Sequence, residues 1–204
     1  MTVMEEKVII IQGCPGTGKT SISRKLSEIL NALHIDLSKF VIEENLIESN
    51  DPERNSLVPN NDLLINKLLQ KINESKNLII VEGHYADIVP PQYVLQAFVL
   101  RLHPRKLEMV LKQRGWDDKK VYENVMAELL DTCLINVIER YGSEKIVEID
   151  VTNKEIDDVV NEILKKLSIP DSSNQKYINW FETLEKEGVL NEYLLKFSTT
   201  QSQK

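Results

Sequence analysis

Cysteine is scarce in this chain of 204 residues: it has Cys14 and Cys133 and no others. Two are too few for a disulfide scaffold and fit a reducing compartment. Long apolar runs are missing too. The best candidate, Val8 to Ile11, has the length of a strand, whereas a membrane span needs roughly 18 residues, so no membrane partner is expected. Basic charge is in deficit, with 25 Lys and Arg against 32 Asp and Glu and a net charge of −7. That excludes a general nucleic-acid sleeve, and no sequence-specific nucleic-acid binding is expected. An acidic surface suits a basic protein partner, or serves solubility alone. The opening Met1-Thr2-Val3-Met4-Glu5-Glu6 carries acids where an export signal carries bases, so the cytoplasm is the expected location. There is no internal repeat, low complexity is confined to the polar tip Ser198 to Lys204, and no Cys/His spacing of a zinc site occurs.

What is present suits one globular domain: 42% hydrophobic and 28% charged residues, enough of each for a core and a solvated surface. Short β-branched runs alternate with stretches of helical period. Strands are expected at Val8–Ile11, His34–Leu37, Leu78–Val81, Ala97–Leu102 and Ile146–Ile149. Helices are expected at Thr20–Leu33 (with Ile22, Leu26, Ile29, Leu30 and Leu33 on one face), Lys39–Ile47, Asp62–Ile72, Arg105–Gln113 behind Pro104, Lys119–Tyr141 and Asn153–Leu167. Glu48 to Asn61 lacks a period and reads as a loop. Strands separated by helices imply a parallel sheet covered on both faces by right-handed crossovers. Beyond Pro170-Asp171-Ser172-Ser173 the character changes, and Ile178, Trp180, Phe181, Leu184, Leu190, Tyr193 and Leu194 give the tail enough apolar surface to dock.

Gly13-Cys14-Pro15-Gly16-Thr17-Gly18-Lys19-Thr20 satisfies G-x-x-x-x-G-K-[ST] at every fixed position. A chance occurrence is expected in about one chain in a hundred of this length, and here a buried strand precedes the motif and an amphipathic helix follows it. Gly16 and Gly18 permit backbone conformations that a Cβ obstructs. Successive N–H groups and the helix N-terminus then hold phosphate oxygens. Lys19 reaches the β- and γ-phosphates and the Thr20 hydroxyl ligates Mg²⁺. A nucleoside triphosphate is therefore the expected ligand. Cys14 reads as a small loop filler rather than a redox group, because no resolving cysteine is adjacent.

Phosphoryl transfer also needs a carboxylate near the metal and cations on the moving phosphate. Glu82, after the strand Leu78–Val81, is the candidate for Mg²⁺-water ligation; the alternative is a solvated acid at a strand end. His84 is the candidate for polarising or positioning the attacking group, or else satisfies a loop hydrogen bond. Arg101 ends another buried strand and calls for a partner, with a phosphate in view. Arg114 sits before Gly115 in the polar break Arg114–Lys120, which reads as a hinged flap over the nucleotide or as an ordinary interhelical turn. His34, at a helix end, and His103, before Pro104, look structural.

These motifs, taken in order, resemble the adenylate kinase isoenzyme 6 family, a small adenylate kinase/ATPase linked to small-ribosomal-subunit assembly. The resemblance rests on Gly13–Ser21, Ile79–His84, Val99-Leu100-Arg101, Gln113–Trp116 through Glu123-Asn124 and Ala127-Glu128, Val147–Asn153 and Ile178-Asn179-Trp180. It implies an α/β P-loop NTPase fold of the nucleoside-monophosphate-kinase type, with five parallel strands, helices on both faces and a C-terminal helical tail. The core would span residues 1–168, with a monophosphate-binding region at Lys39–Asp62 and a lid at Gln113–Glu123; residues 169–204 would be an extension packing on it. Carried over by position, Gly13, Gly16, Gly18, Lys19, Thr20 and Ser21 bind ATP, Arg114 contacts it from the lid, and Asn153 borders the adenine. The family's acid-x-histidine motif falls on Glu82 and His84. Lys19, Glu82, His84 and Arg114 are thus the expected catalytic residues, with Thr20 and Glu82 holding Mg²⁺.

Two departures are visible. Glu82 stands where the family commonly has aspartate, and Ile42 stands where some members carry an arginine in the monophosphate-binding helix. The expected activity is Mg²⁺-dependent transfer from ATP to AMP, giving two ADP, together with ATP hydrolysis; the departures bear on the transfer to AMP more than on hydrolysis. The resemblance implies ATP and Mg²⁺ as cofactors, AMP as acceptor and a basic small-subunit ribosomal protein as partner, which the charge of −7 suits. The alternatives are an assembly ATPase with little AMP kinase activity, or a kinase of another small hydroxyl substrate.

Overall fold

The computed structural model describes residues 6–52, 56–168 and 177–201. The Pro170–Ser173 break, the last three residues of the polar tip and residues 53–55 of the expected loop lie outside them. Val8–Gly13 (β1) forms the centre of a five-stranded parallel sheet and is buried along its whole length. Its neighbours are Ile79–Gly83 (β5) and Val94–Arg101 (β6). Leu33–Asp36 (β2) lies outside β5, and Ile146–Asp150 (β7) lies outside β6. The β-branched runs do this because a strand covered on both faces has no polar side to show.

One face carries Lys19–Leu30 (α1) and Ile156–Ser168 (α7), whose Ile22, Leu26, Val159, Val160 and Ile163 close over Ile9, Ile11, Ile80 and Phe98. The other face is covered by Leu37–Glu43 (α2), Asn61–Glu74 (α3), Pro104–Gln113 (α4), Asp118–Leu129 (α5) and Thr132–Tyr141 (α6). Each large aliphatic side chain buried there contributes about 1.5–3 kcal/mol.

Several boundaries differ from the periodicity. The helix expected from Thr20 to Leu33 stops at Leu30, because Asn31 turns left-handed at φ 50°. Ile29 is left 53% exposed, and Leu33 passes into β2 at 40% exposure, so neither belongs to the buried face. His34 consequently lies within a strand and not at a helix end. The helix expected at Lys39–Ile47 is α2, capped by Asp36, whose Oδ1 accepts from the Ser38 and Lys39 N–H groups.

The expected loop at 48–61 contains a hairpin, Ile47–Asp51 (β3) paired antiparallel with Ser56–Pro59 (β4). Glu48, Ser49 and Asn50 are exposed one after another, so no alternation betrays it. The single helix expected from Lys119 to Tyr141 is two, α5 and α6, broken at Asp131 with φ 57°. Asp131 turns out of the helix to accept from the Arg101 guanidinium.

Of the tail's apolar residues most pack, but Leu194 stays 40% exposed. Trp180–Lys186 (α8) buries Trp180 and Leu184, and Leu190–Gln201 (α9) buries Tyr193 and runs into the polar tip. Trp180 Nε1 donates to Glu128 Oε1 at 2.9 Å, and Tyr193 Oη donates to Glu108 Oε2 at 2.9 Å. Trp180→Phe keeps most of the ring and removes only a hydrogen bond to a carboxylate. It is expected to cost about 2 kcal/mol in urea unfolding, and Trp180→Ala about 3–5 kcal/mol. An unchanged midpoint for the phenylalanine variant would deny the bond any role.

Candidate nucleotide site

The site is built where β1 ends. Between β1 and α1 the chain has no room for side chains at two glycines. A Cβ on Gly13 would stand 2.6 Å from the Leu100 carbonyl oxygen of β6. Gly16, at φ +100°, is strained for any other residue. A Cβ there would also meet Leu107 at 3.0 Å and Leu111 at 3.3 Å, so its absence lets α4 close against the loop. Thr17 ties the loop internally, donating from its hydroxyl to the Cys14 carbonyl at 2.9 Å.

Lys19 opens α1 with its ammonium drawn over the loop, donating to the Gly13 carbonyl at 2.9 Å and the Cys14 carbonyl at 3.0 Å. Burial lowers its pKa, and the charge of Arg114 adds to that. Cys133, Glu82 and Cys14 oppose the shift. The ammonium is thus a cation held partly out of water next to loop amides that favour anions. Thr20 and Ser21 follow in the first turn of α1.

Glu82 is no solvated strand-end acid. It lies within β5, pairs in register with Ile11 of β1 and Asp36 of β2, and is 2% exposed. Among the described residues its Oε1 has no hydrogen-bond partner. His34 Nε2 is likewise buried without a hydrogen bond and lies 3.5 Å away, within ion-pair distance of that oxygen. A carboxylate oxygen buried without a donor costs free energy unless a cation or an ordered water meets it. Glu82 and the Thr20 hydroxyl are hard oxygen donors of the kind Mg²⁺ takes, a set that phosphate oxygens and waters would complete. His34 and Asp36 open on a cavity of about 280 Å³ that Arg24, Lys39 and Phe40 also line.

His84, two residues beyond Glu82, packs its ring edge-on to Tyr85 at 4.5 Å. Part of the imidazole faces solvent, yet crowding by the site walls, and then the charge of Lys19, bring its pKa down to about 4. The ring is neutral at pH 7. Because the folded value lies below the ordinary 6.5, the neutral ring stabilises the fold above pH 6.5, and that contribution is lost as pH falls toward 4. A proton NMR titration is expected to show the His84 signal shifting with a midpoint near 4; a midpoint at 6 or above would contradict it.

Arg114 caps α4, its N–H bonded to the Val110 and Leu111 carbonyls, and its side chain is exposed. Since α4 packs on Gly16, the end of this helix brings Arg114 close enough for its charge to act on Lys19. The expected lid at 113–123 is a short turn, Gly115 at φ +75°, followed by the start of α5. Asn153 lies past the end of β7 in a left-handed turn at φ 59°, its Oδ1 accepting from Lys106 Nζ.

Arg101 does not face a phosphate. It is 1% exposed, and its guanidinium is consumed by protein groups: Nε donates to Glu128 at 2.7 Å, and the other nitrogens bond Glu148, Asp131 and the Glu128 carbonyl. The buried strand demanded a partner, as expected, but acids on α5, β7 and the α5–α6 break supply it. Sequence reasoning also missed the closeness of His34 to Glu82 and of Cys133 to the loop; no local signal marks either contact.

A family profile described as an AAA domain matches residues 9–131. A curated relative from Methanocaldococcus jannaschii, named "Putative adenylate kinase", is 33% identical over 174 residues, 85% of this chain and 93% of its own. Relatives of the same name come from Methanococcus maripaludis, 36% identical over 86% of this chain and 96% of theirs, and from Saccharolobus solfataricus, 39% identical over 78% and 82%. Among solved structures, a shikimate kinase from Bacteroides thetaiotaomicron superposes with a TM-score of 0.53 at 19% identity, over 79% of this chain and 98% of that one. A gluconokinase from Sinorhizobium meliloti gives 0.51 at 15% identity, over 80% and 92%. At these identities the structures share the fold: a nucleotide-kinase-type α/β arrangement around the loop of residues 13–20. On the sequence relatives, and with its phosphate loop on the central strand, the chain belongs to the adenylate-kinase-like family of P-loop proteins.

Proposed function

We propose that this protein transfers the γ-phosphoryl group of ATP to AMP, giving two ADP, and hydrolyses ATP slowly when no acceptor is bound. The observation that carries the reading is the buried, unbonded Oε1 of Glu82 beside a complete phosphate loop. The relatives' name supports the choice of nucleotide.

The amides of Gly13, Gly16 and Gly18, with those of Thr20 and Ser21 at the head of α1, bind the phosphate oxygens. Lys19 exchanges the Gly13 and Cys14 carbonyls for the β- and γ-phosphates, where its charge is matched by developing negative charge. Arg114 reaches the same oxygens from the end of α4, and Asn153 borders the adenine. Thr20, and Glu82 through a water, would hold Mg²⁺, which when bound neutralises charge on the β- and γ-phosphate oxygens. Neutral His84 orients the attacking oxygen without adding a charge. In this reading residues 1–168 are the catalytic core, with the acceptor at 39–62 and the lid at 113–123, and residues 169–204 are the extension.

An ADP-formation assay with ATP alone and with ATP plus AMP tests the assignment. AMP-dependent ADP well above the ATP-only rate is expected, together with dependence on added Mg²⁺. A rate indifferent to AMP would leave an ATPase and overturn the kinase. The second reading, an assembly ATPase for a basic small-subunit ribosomal protein, is favoured by the net charge of −7. Its test is copurification with such a protein, released by high salt or by ATP; retention of no basic partner at low salt refutes it.

A further inference from the structure

The fold brings the two cysteines together. Cys14 Sγ, in the phosphate loop, lies 4.0 Å from Cys133 Sγ, 119 residues away in the chain. Both are free thiols in the interior. Cys133 is the second residue of α6, and that first turn is pinned to the site from two sides. Its carbonyl accepts from Gln12 Nε2 at 3.2 Å, and Gln12 Oε1 in turn accepts from the Asp87 N–H at 2.8 Å. The Cys133 thiol also points toward the His84 carbonyl at 3.8 Å. A cysteine that reads as a loop filler along the sequence therefore has a resolving partner in space.

We propose that Cys14 and Cys133 are a modification site: a hydroperoxide converts them to an intramolecular disulfide that disables the phosphate loop. The effect on the loop rests on the nucleotide-binding reading above; the bond itself does not. Cys133 is the attacking sulfur. The Cys14 thiol hydrogen-bonds to it and the charge of Lys19 acts on it, which together hold its pKa below the usual thiol range against burial and the acids Glu128 and Asp87. The same hydrogen bond, then burial, pushes Cys14 up. The Cys133 thiolate attacks one peroxide oxygen; the O–O bond breaks, and the leaving oxygen takes a proton to become an alcohol or water. Cys14, giving up its proton, then attacks the sulfenic sulfur, and the hydroxyl departs as water. Two thiols lose two electrons to the O–O bond, and one S–S bond results.

The proposed bond acts on the loop through Cys14. A disulfide spans about 2.05 Å, so the sulfurs must close by about 2 Å. Cys14 moves with its carbonyl, and that carbonyl accepts from Thr17 N at 3.3 Å, Thr17 Oγ1 at 2.9 Å and Lys19 Nζ at 3.0 Å. Closing the bond displaces the loop and its lysine together.

The test treats the full reduced chain with hydrogen peroxide. Peptide mass mapping, thiol titration after denaturation and calorimetric affinity for Mg·ATP are then compared before and after. A linked Cys14–Cys133 peptide pair is expected, with both thiols lost. Mg·ATP should bind at least tenfold more weakly and recover with dithiothreitol. Cys133→Ser should bind Mg·ATP as the reduced chain does and keep that affinity through the same treatment. Absence of the linked pair, or equal loss of affinity in Cys133→Ser, overturns the proposal. A disulfide that leaves affinity unchanged overturns its effect on the loop. A disulfide formed in a chain whose reduced form never bound Mg·ATP overturns instead the nucleotide-binding reading, and leaves the modification standing.

Discussion

Lys19→Ala is expected to lower kcat by a hundredfold to a thousandfold while leaving the melting temperature unchanged or slightly raised. Removing one preorganised charge from the oxygens of a reacting group typically costs about 2.7–4 kcal/mol of transition-state stabilisation. In this site the ammonium is positioned before any substrate arrives, by the carbonyls of Gly13 and Cys14. The fold gains little from it. Burial lowers the Lys19 pKa, with Arg114 adding repulsion, so the charged form is disfavoured where it sits. A residue uncomfortable in the free protein and proposed to act on the transferred group fits a site that trades stability for activity. Steady-state kinetics and a thermal melt on the same preparation check both halves. A loss of less than tenfold would remove Lys19 from the chemistry, and a large fall in melting temperature would make its role structural.

Arg101→Leu is expected to destabilise the protein by about 3–5 kcal/mol at pH 7, the usual cost of breaking a buried ion pair from one side. The side chains of Arg101 and Glu128 are each 1% exposed and that of Glu148 is 2% exposed, so the deleted cation leaves carboxylates with no route to water. Trp180 Nε1 and the Ile178 N–H still donate to Glu128 and Glu148, which softens the loss without neutralising the charge. The pH dependence has a definite sign. Burial raises the Glu148 pKa above its ordinary 4.5, against the pull of Arg101. Without the guanidinium that value rises further. A carboxyl whose folded pKa exceeds its unfolded one favours the fold at low pH and loses that contribution as pH climbs. The deficit of the variant relative to wild type should therefore be full at pH 7 and shrink as pH falls toward 4.5. Arg101→Lys should recover only a minority of the loss, because a point charge cannot bond three acids as the planar fork does. Urea unfolding at the two pH values decides the matter; an equal deficit at both would mean the loss is one of packing and not of charge.

The same residue shows where reading along the chain runs out. A charge directly after Phe98-Val99-Leu100 had to have a partner, and the candidate within view was a phosphate. The true partners, Glu128, Asp131 and Glu148, are 27, 30 and 47 residues away, and only the folded arrangement of α5, the helix break and β7 gathers them. The hairpin β3–β4 escaped for another reason. Glu48, Ser49 and Asn50 are exposed in succession and carry no alternation, because β3 buries neither face in the core. The break at Asp131 escaped because the partner that Asp131 meets there, Arg101, is not local.

What the amino-acid order determined by itself is whatever short-range physics can write: the β-branched strands, the helical stripes, and the loop of residues 13–20, whose chemistry depends on a covalent spacing of eight positions. From these follow the parallel sheet and the side of it on which a nucleotide would sit. The tertiary structure alone decided that Glu82 is buried and unbonded beside the loop, that Arg101 is a structural keystone, and that Cys14 has a sulfur for a neighbour. Each of these is a contact between segments tens of residues apart, and such contacts leave no periodic trace because their geometry exists only once the sheet has assembled.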